Sequence, residues 1–167
     1  MSDGLNIGVL TVSDTRTLEN DTSGQFFCDS VAESGHQLVE RHIEIDDLYR
    51  LRAVVSKWIA DESIQVILIT GGTGFTTRDS TPEAIAPLLD TEIPGFGELF
   101  RQISFDEIGT STVQSRAFAG IANDTLLFCV PGSTGACRTA WNGILKEQLN
   151  INNRPCNFAE LLIKGSH

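Results

Sequence analysis

Short apolar runs alternate along the chain with amphipathic stretches. LNIGVLTV (5–12) is apolar and β-branched, the pattern of a buried strand. Residues 21–34 predict a helix, with Asp21 or Thr22 as its cap and Gly35 as its stop. HQLVERHIEI (36–45) alternates well enough for a second strand. Leu48, Leu51, Val54, Val55, Trp58 and Ile59 recur at helical spacing and predict an amphipathic helix over 48–61. VILIT (66–70) is wholly apolar, as strands of parallel sheets are. Helices are predicted over 82–90, 97–105 and 111–122, with a glycine-bearing turn at PGFGE (94–98). A buried strand, TLLFCV (125–130), precedes a helix that runs from a Ser133 cap to Leu149, and NFAELLI (157–163) closes the chain.

Strands alternating with helices predict an α/β protein whose parallel strands carry helices on both faces. In such open sheets, ligands bind beyond the carboxyl ends of the strands, where loops lead into helices. Four loops meet that description here. They carry Ser13-Asp14-Thr15 with Asp21-Thr22-Ser23-Gly24, then Asp46-Asp47, then Thr70-Gly71-Gly72-Thr73-Gly74, then Pro131-Gly132-Ser133-Thr134-Gly135. Each alone reads as turn and cap residues. Their concentration on one sheet edge points to a site.

Composition narrows what that site binds. The chain has 167 residues, enough for a sizeable core, with 41% apolar and 20% charged residues. One domain over 1–164 is expected, with Gly165-Ser166-His167 set aside as a cloning scar. No apolar run approaches the ~20 residues of a membrane span. The N-terminus lacks a basic n-region and a cleavage pattern, so a cytoplasmic protein is expected. A net charge of −10 with only 12 Lys and Arg disfavours nucleic acid. A small anionic ligand stays open, because backbone N–H groups bind anions without lysine.

The central motif is TGGTGFTTRDSTPE (70–83). It matches neither common nucleotide loop. No Gly-Lys dipeptide occurs in the chain, which excludes a Walker A loop, and Gly72-x-Gly74 lacks the third glycine of a dinucleotide fingerprint. Glycines still let backbone N–H groups approach an anion closely. Ser80-Thr81-Pro82-Glu83 adds a helix start, with a cap and a proline at the first helical position. Asp79 is either a capping residue or a ligand of Mg²⁺, which takes one or two carboxylates together with phosphate oxygens. Asp46 is the candidate second carboxylate and Asp47 its rival; either also suits the cap of the helix that starts at 48. Arg78 pairs with Asp79, faces a phosphate, or is a solvated surface residue. Pro131-Gly132-Ser133 repeats the strand–glycine–cap arrangement and gives a second anion cradle. The cysteines, Cys28, Cys129, Cys137 and Cys156, show no C-x-x-C spacing, and Cys137 reads as a packed thiol rather than a nucleophile.

TGGTGFTTRDSTPEAI, PGFGELFRQIS, TSTVQSRAFAG and PGSTGACRTAW follow one another in this order, after SDT at 13–15 and DTSG at 21–24. As a set, over residues 5–163, they resemble the MoaB/MogA family of molybdenum cofactor biosynthesis, and PGSTGACRTAW resembles its MoaB branch. The resemblance implies a three-layer αβα sandwich around a mostly parallel sheet, molybdopterin as ligand, and a trimer or a hexamer. It implies adenylyl transfer from ATP to the terminal phosphate of molybdopterin with Mg²⁺, or else a carrier of the same pathway without turnover, alongside other cofactor-biosynthesis proteins. Asp79 and Asp46 match the family's catalytic, metal-holding aspartates. Ser13, Asp14, Thr70, Gly71, Gly72, Thr73, Gly74, Glu98, Ser115, Pro131, Gly132 and Ser133 match its pterin and phosphate contacts. One departure stands out. Adenylyl-transferring relatives carry a lysine in the turn that here reads Pro131-Gly132-Ser133-Thr134-Gly135-Ala136, and Arg138 is the nearest candidate to replace it.

Overall fold

The computed structural model describes residues 4–163 and joins six strands in one sheet. They are β1 (Asn6–Val12), β2 (Gln37–Glu44), β3 (Val66–Thr70), β4 (Thr91–Glu92), β5 (Phe118–Ala122) and β6 (Thr125–Val130). Their order across the sheet is β2-β1-β3-β6-β5-β4. The first four of these run parallel, and β5 and β4 pair antiparallel at one edge. The helices are α1 (Thr22–Glu33), α2 (Leu48–Ala60), α3 (Thr81–Ile85), α4 (Pro94–Ile108), α5 (Thr134–Ala140), α6 (Lys146–Gln148) and α7 (Ala159–Ile163).

The central strands are apolar on both faces because helices cover both. Side chains alternate across a strand, and the two cores divide accordingly. Val9, Val66, Leu68, Leu126 and Phe128 pack with Phe27 and Val31 of α1, Phe96 and Phe100 of α4, and Cys137 of α5. Leu10, Ile67, Ile69, Leu127 and Cys129 pack with Leu51, Val55 and Trp58 of α2 and Ile85 of α3. This is the expected αβα sandwich. The parallel β1, β3 and β6 end together at Val12, Thr70 and Val130, so their loops share one edge.

Four expectations about elements are corrected. Residues 111–122 are not a helix. A 3₁₀ turn, Gly109–Gln114, leads into β5. Strand pairing prevails there because Asn123 (φ 49°) and Asp124 (φ 62°) form a two-residue turn that folds β5 back onto β6. Strand β4 was absent from the sequence pattern, being two residues long. The helix expected over 82–90 ends at Ile85 and continues as a 3₁₀ turn, Ala86–Leu88. Pro87 has no N–H to extend it, and Arg52 takes the carbonyls of Glu83 and Ala84 instead. The turn at PGFGE is the first turn of α4, which runs on to Ile108. Between α5 and α6, the helix passes through a π turn, Trp141–Leu145. No helix among the described residues is long and apolar enough to cross a membrane.

Candidate functional site

The loop after β3 turns sharply at two glycines with positive φ, Gly71 (109°) and Gly72 (72°). A Cβ on Gly71 would lie 2.2 Å from the Val12 carbonyl oxygen, and one on Gly72 would lie 2.2 Å from Thr81 Oγ1. Only glycine suits either position.

Four successive carbonyls of the loop are taken by Thr81 and Arg116. Thr81 Oγ1 donates to Gly71 O (2.7 Å) and Thr81 N to Gly72 O (3.0 Å). Arg116 N donates to Thr73 O (3.1 Å), and the Arg116 guanidinium donates to Gly74 O through Nε (3.0 Å) and Nη2 (2.6 Å). A trans peptide points its N–H opposite the preceding carbonyl. The N–H groups of Gly72, Thr73 and Gly74 are therefore turned away from Thr81 and Arg116, and they meet no protein acceptor among the described residues. Gly72, Thr73 and Gly74 border a cavity of about 320 Å³, with Thr11, Ser13, Arg16, Thr70, Asp79 and Gly132 also on its wall.

Two carboxylates flank this loop. Asp46 follows β2 and is buried (6% exposed). Its Oδ1 accepts from Ser80 N (3.1 Å) and from the Ser80 hydroxyl, while its Oδ2 faces Gly72. Burial raises its pKa above the ordinary Asp value, against the lowering pull of the Ser80 bonds, and the charges of Asp79 and Asp14 raise it further. Asp79 Oδ2 accepts from Thr76 N (2.9 Å) and Thr76 Oγ1 (2.7 Å) and lies against Gly74. Asp79 is not a helix cap. Ser80 occupies the cap position of α3, and its hydroxyl goes to Asp46. The cap of α2 is Asp47, which accepts from Tyr49 N and Arg50 N. This separates Asp46, at the glycine loop, from Asp47, at the helix.

The second cradle abuts the first. Thr70 Oγ1 donates to Pro131 O (2.9 Å), and Gly132 packs against Gly71. Ser133 caps α5 by accepting from Ala136 N (3.1 Å). Cys137 is buried beneath, its thiol donating to Thr70 Oγ1 (3.2 Å). Burial pushes that thiol up to about 12, so it is a packed thiol, as expected.

A family profile described as "Probable molybdopterin binding domain" matches residues 8–150. The chain belongs to this family. It is similar to molybdenum cofactor biosynthesis protein B of Escherichia coli K12, at 57% identity over 152 residues, spanning 91% of this chain and 89% of that one. It is 43% identical over 142 residues to the Bacillus subtilis protein of the same name, spanning 84% of each. Its fold matches a crystal structure of molybdenum cofactor biosynthesis protein B, with a TM-score of 0.90, 38% identity and 99% of each chain covered. It also matches the tungsten cofactor synthesizing protein MoaB of Pyrococcus furiosus, with a TM-score of 0.78, 35% identity, and 86% of this chain and 92% of that one covered.

Against the molybdopterin-binding family's pattern, most expected contact residues converge. Ser13, Thr70, Gly71, Gly72, Thr73, Gly74, Asp79, Pro131 and Gly132 all line the cavity. Others do not. Glu98 lines a separate cavity of about 300 Å³ between α4 and β5. Ser115 accepts weakly from Ala117 N (3.3 Å). Asp14 sits outside the glycine cavity and holds Arg78 in a two-bond ion pair (2.9 and 2.8 Å), so Arg78 pairs with Asp14 and not with Asp79. That pair holds the Asp14 carboxyl below its ordinary range. Arg138 lies over the Phe26 ring (5.4 Å to the centroid) and does not reach the cavity wall. Sequence reasoning missed Thr11, Arg16, Gln114 and Arg116. Arg116 had no local signal, since it acts on a loop about forty residues earlier in the chain.

Proposed function

We propose that the chain binds molybdopterin in the glycine-loop cavity and transfers AMP to it from MgATP. The observation that carries this reading is the run of three unclaimed N–H groups, at Gly72, Thr73 and Gly74, beside Asp46 and Asp79. Preorganised N–H donors hold an anion without having to reorganise first. In the reaction, a terminal phosphate oxygen of the pterin attacks the α-phosphorus of ATP. The bond to the bridging oxygen breaks, and pyrophosphate leaves. Both reactants are anionic, so positioning and neutralisation are the main tasks.

The carboxylates fit Mg²⁺. Each has one oxygen held by protein donors and one that accepts no hydrogen bond among the described residues. Hard oxygen donors completed by phosphate oxygens are what magnesium takes. Asp46 and Asp79 would hold it, and it supplies neutralisation of the nucleotide phosphates.

With this reading go a cytoplasmic location, a trimer or hexamer and partners in the same pathway. Phe105, Ile108 and Val113, exposed by 54%, 54% and 74% on α4 and the turn after it, support an assembled state.

A second reading, a molybdopterin carrier without turnover, draws support from one observation. Neither described lysine, Lys57 nor Lys146, lines the cavity. Incubation of the protein with molybdopterin and MgATP, followed by mass spectrometry, separates the two. An AMP adduct supports the enzyme, and saturable binding without adduct supports the carrier.

A further inference from the structure

The cavity wall holds one cation among the described residues, Arg16, in a chain of net charge −10. Arg16 follows β1 on the Ser13 turn, where its N–H donates to Ser13 Oγ (3.0 Å). Its guanidinium is fixed at one end only. Nη1 donates to Asn20 O (2.9 Å) and Thr22 Oγ1 (3.0 Å), while Nε and Nη2 meet no acceptor among the described residues. The anchor reaches the second cradle, because Thr22 Oγ1 bonds to Thr134 Oγ1 (2.8 Å) and Ser23 Oγ donates to Gly132 O (2.7 Å). Arg16 is thus tied to the turn that lacks a lysine. Arg16 and Ser13 also border a second cavity, of about 390 Å³, whose wall carries Arg41, paired to Asp21, His42, paired to Glu44, and Asp14, so Arg16 is its one cation without a carboxylate partner among the described residues. One guanidinium therefore stands between two adjoining spaces.

We infer that Arg16 is the anion-binding side chain of this site, holding a phosphate or diphosphate group at the junction of the two cavities. A guanidinium presents several donors in a fixed plane, which suits phosphate oxygens. Anchoring Nη1 orients the remaining donors without occupying them. The glycine N–H groups provide dipoles, and Arg16 adds the full charge that they lack. The assignment rests on the proposed function only for the identity of the pterin; the anion chemistry stands on the geometry.

The test is calorimetric titration of inorganic pyrophosphate, and separately of molybdopterin, into wild type, Arg16→Gln, Arg16→Lys and Thr22→Val at several NaCl concentrations. Wild type is expected to bind pyrophosphate, more weakly as salt rises. Arg16→Gln is expected to lose on the order of tenfold or more in affinity and most of the salt dependence. Arg16→Lys should regain the salt dependence but not the full affinity. Thr22→Val, which keeps the guanidinium and loses its anchor, should weaken binding with the salt dependence intact. Pyrophosphate binding that is equal in wild type and Arg16→Gln, or absent from both, would overturn the assignment. Pyrophosphate bound through Arg16 with no molybdopterin binding would instead overturn the pterin reading and leave Arg16 as an anion site.

Discussion

Arg116 Nη2 donates to the carbonyl of Gly74 at 2.6 Å. The same guanidinium donates to Asp79 O (3.2 Å) and to the Glu83 carboxylate, and it lies over the Phe75 ring (5.0 Å to the centroid). One side chain therefore spans the glycine loop from Gly74 to Asp79 without lining the cavity. Arg116→Gln should loosen this loop selectively. Amide hydrogen exchange over 72–79 is expected to quicken, at a stability cost of about 1–3 kcal/mol, with the central strands unaffected. An exchange pattern identical to wild type would show that the loop holds its shape without the brace.

The glycines differ in what they tolerate. Gly71→Ala places a methyl 2.2 Å from a backbone carbonyl at φ +109° and should cost at least about 2 kcal/mol. Gly72→Ala meets Thr81 Oγ1 at 2.2 Å and Asp46 Oδ2 at 2.8 Å, side-chain atoms with some freedom, and should cost about 1–2 kcal/mol. Gly135→Ala, in α5 with nothing within 4 Å, should gain about 0.5–1 kcal/mol. Chemical denaturation of the three variants checks this order.

A pH effect lies at the opposite end of the strands. His36 Nδ1 accepts from Leu5 N (3.1 Å), and burial lowers its pKa from the ordinary 6.5. The folded state thus favours neutral imidazole. The unfolded chain gains its proton first as pH falls below 6.5, so stability drops from there down to the folded pKa and then levels off. His36→Asn keeps an acceptor for Leu5 and cannot take the proton. Its denaturation midpoint should fall less than that of wild type between pH 7.5 and pH 5. Parallel curves for the two proteins would contradict the role given to His36.

The strands were legible where burial on both faces left no polar position, as in VILIT and TLLFCV. FAGIA, by contrast, is five residues of weak preference, and its strand comes from pairing with β6. The signal that would have found it is the Asn123-Asp124 turn next to TLLFCV. The glycine loop and Asp79 were readable because they are contiguous. Asp46 and Asp47 stood equal in sequence, and only the direction of each side chain separates them. The Asp14–Arg78 pair joins residues 64 apart in the chain. Such contacts follow from β1 and β3 lying side by side, a relation that no local pattern encodes.

Adenylyl transfer at the glycine loop is tested by a single-turnover comparison of wild type and Asp79→Asn with molybdopterin and MgATP, read by mass spectrometry alongside molybdopterin affinity. Asparagine is nearly isosteric and keeps an acceptor for Thr76, so the loop should hold. Wild type should form an AMP adduct, and Asp79→Asn should lose at least about a hundredfold in its rate while keeping molybdopterin affinity within a few-fold of wild type. Adduct formation by Asp79→Asn at the wild-type rate would contradict that expectation.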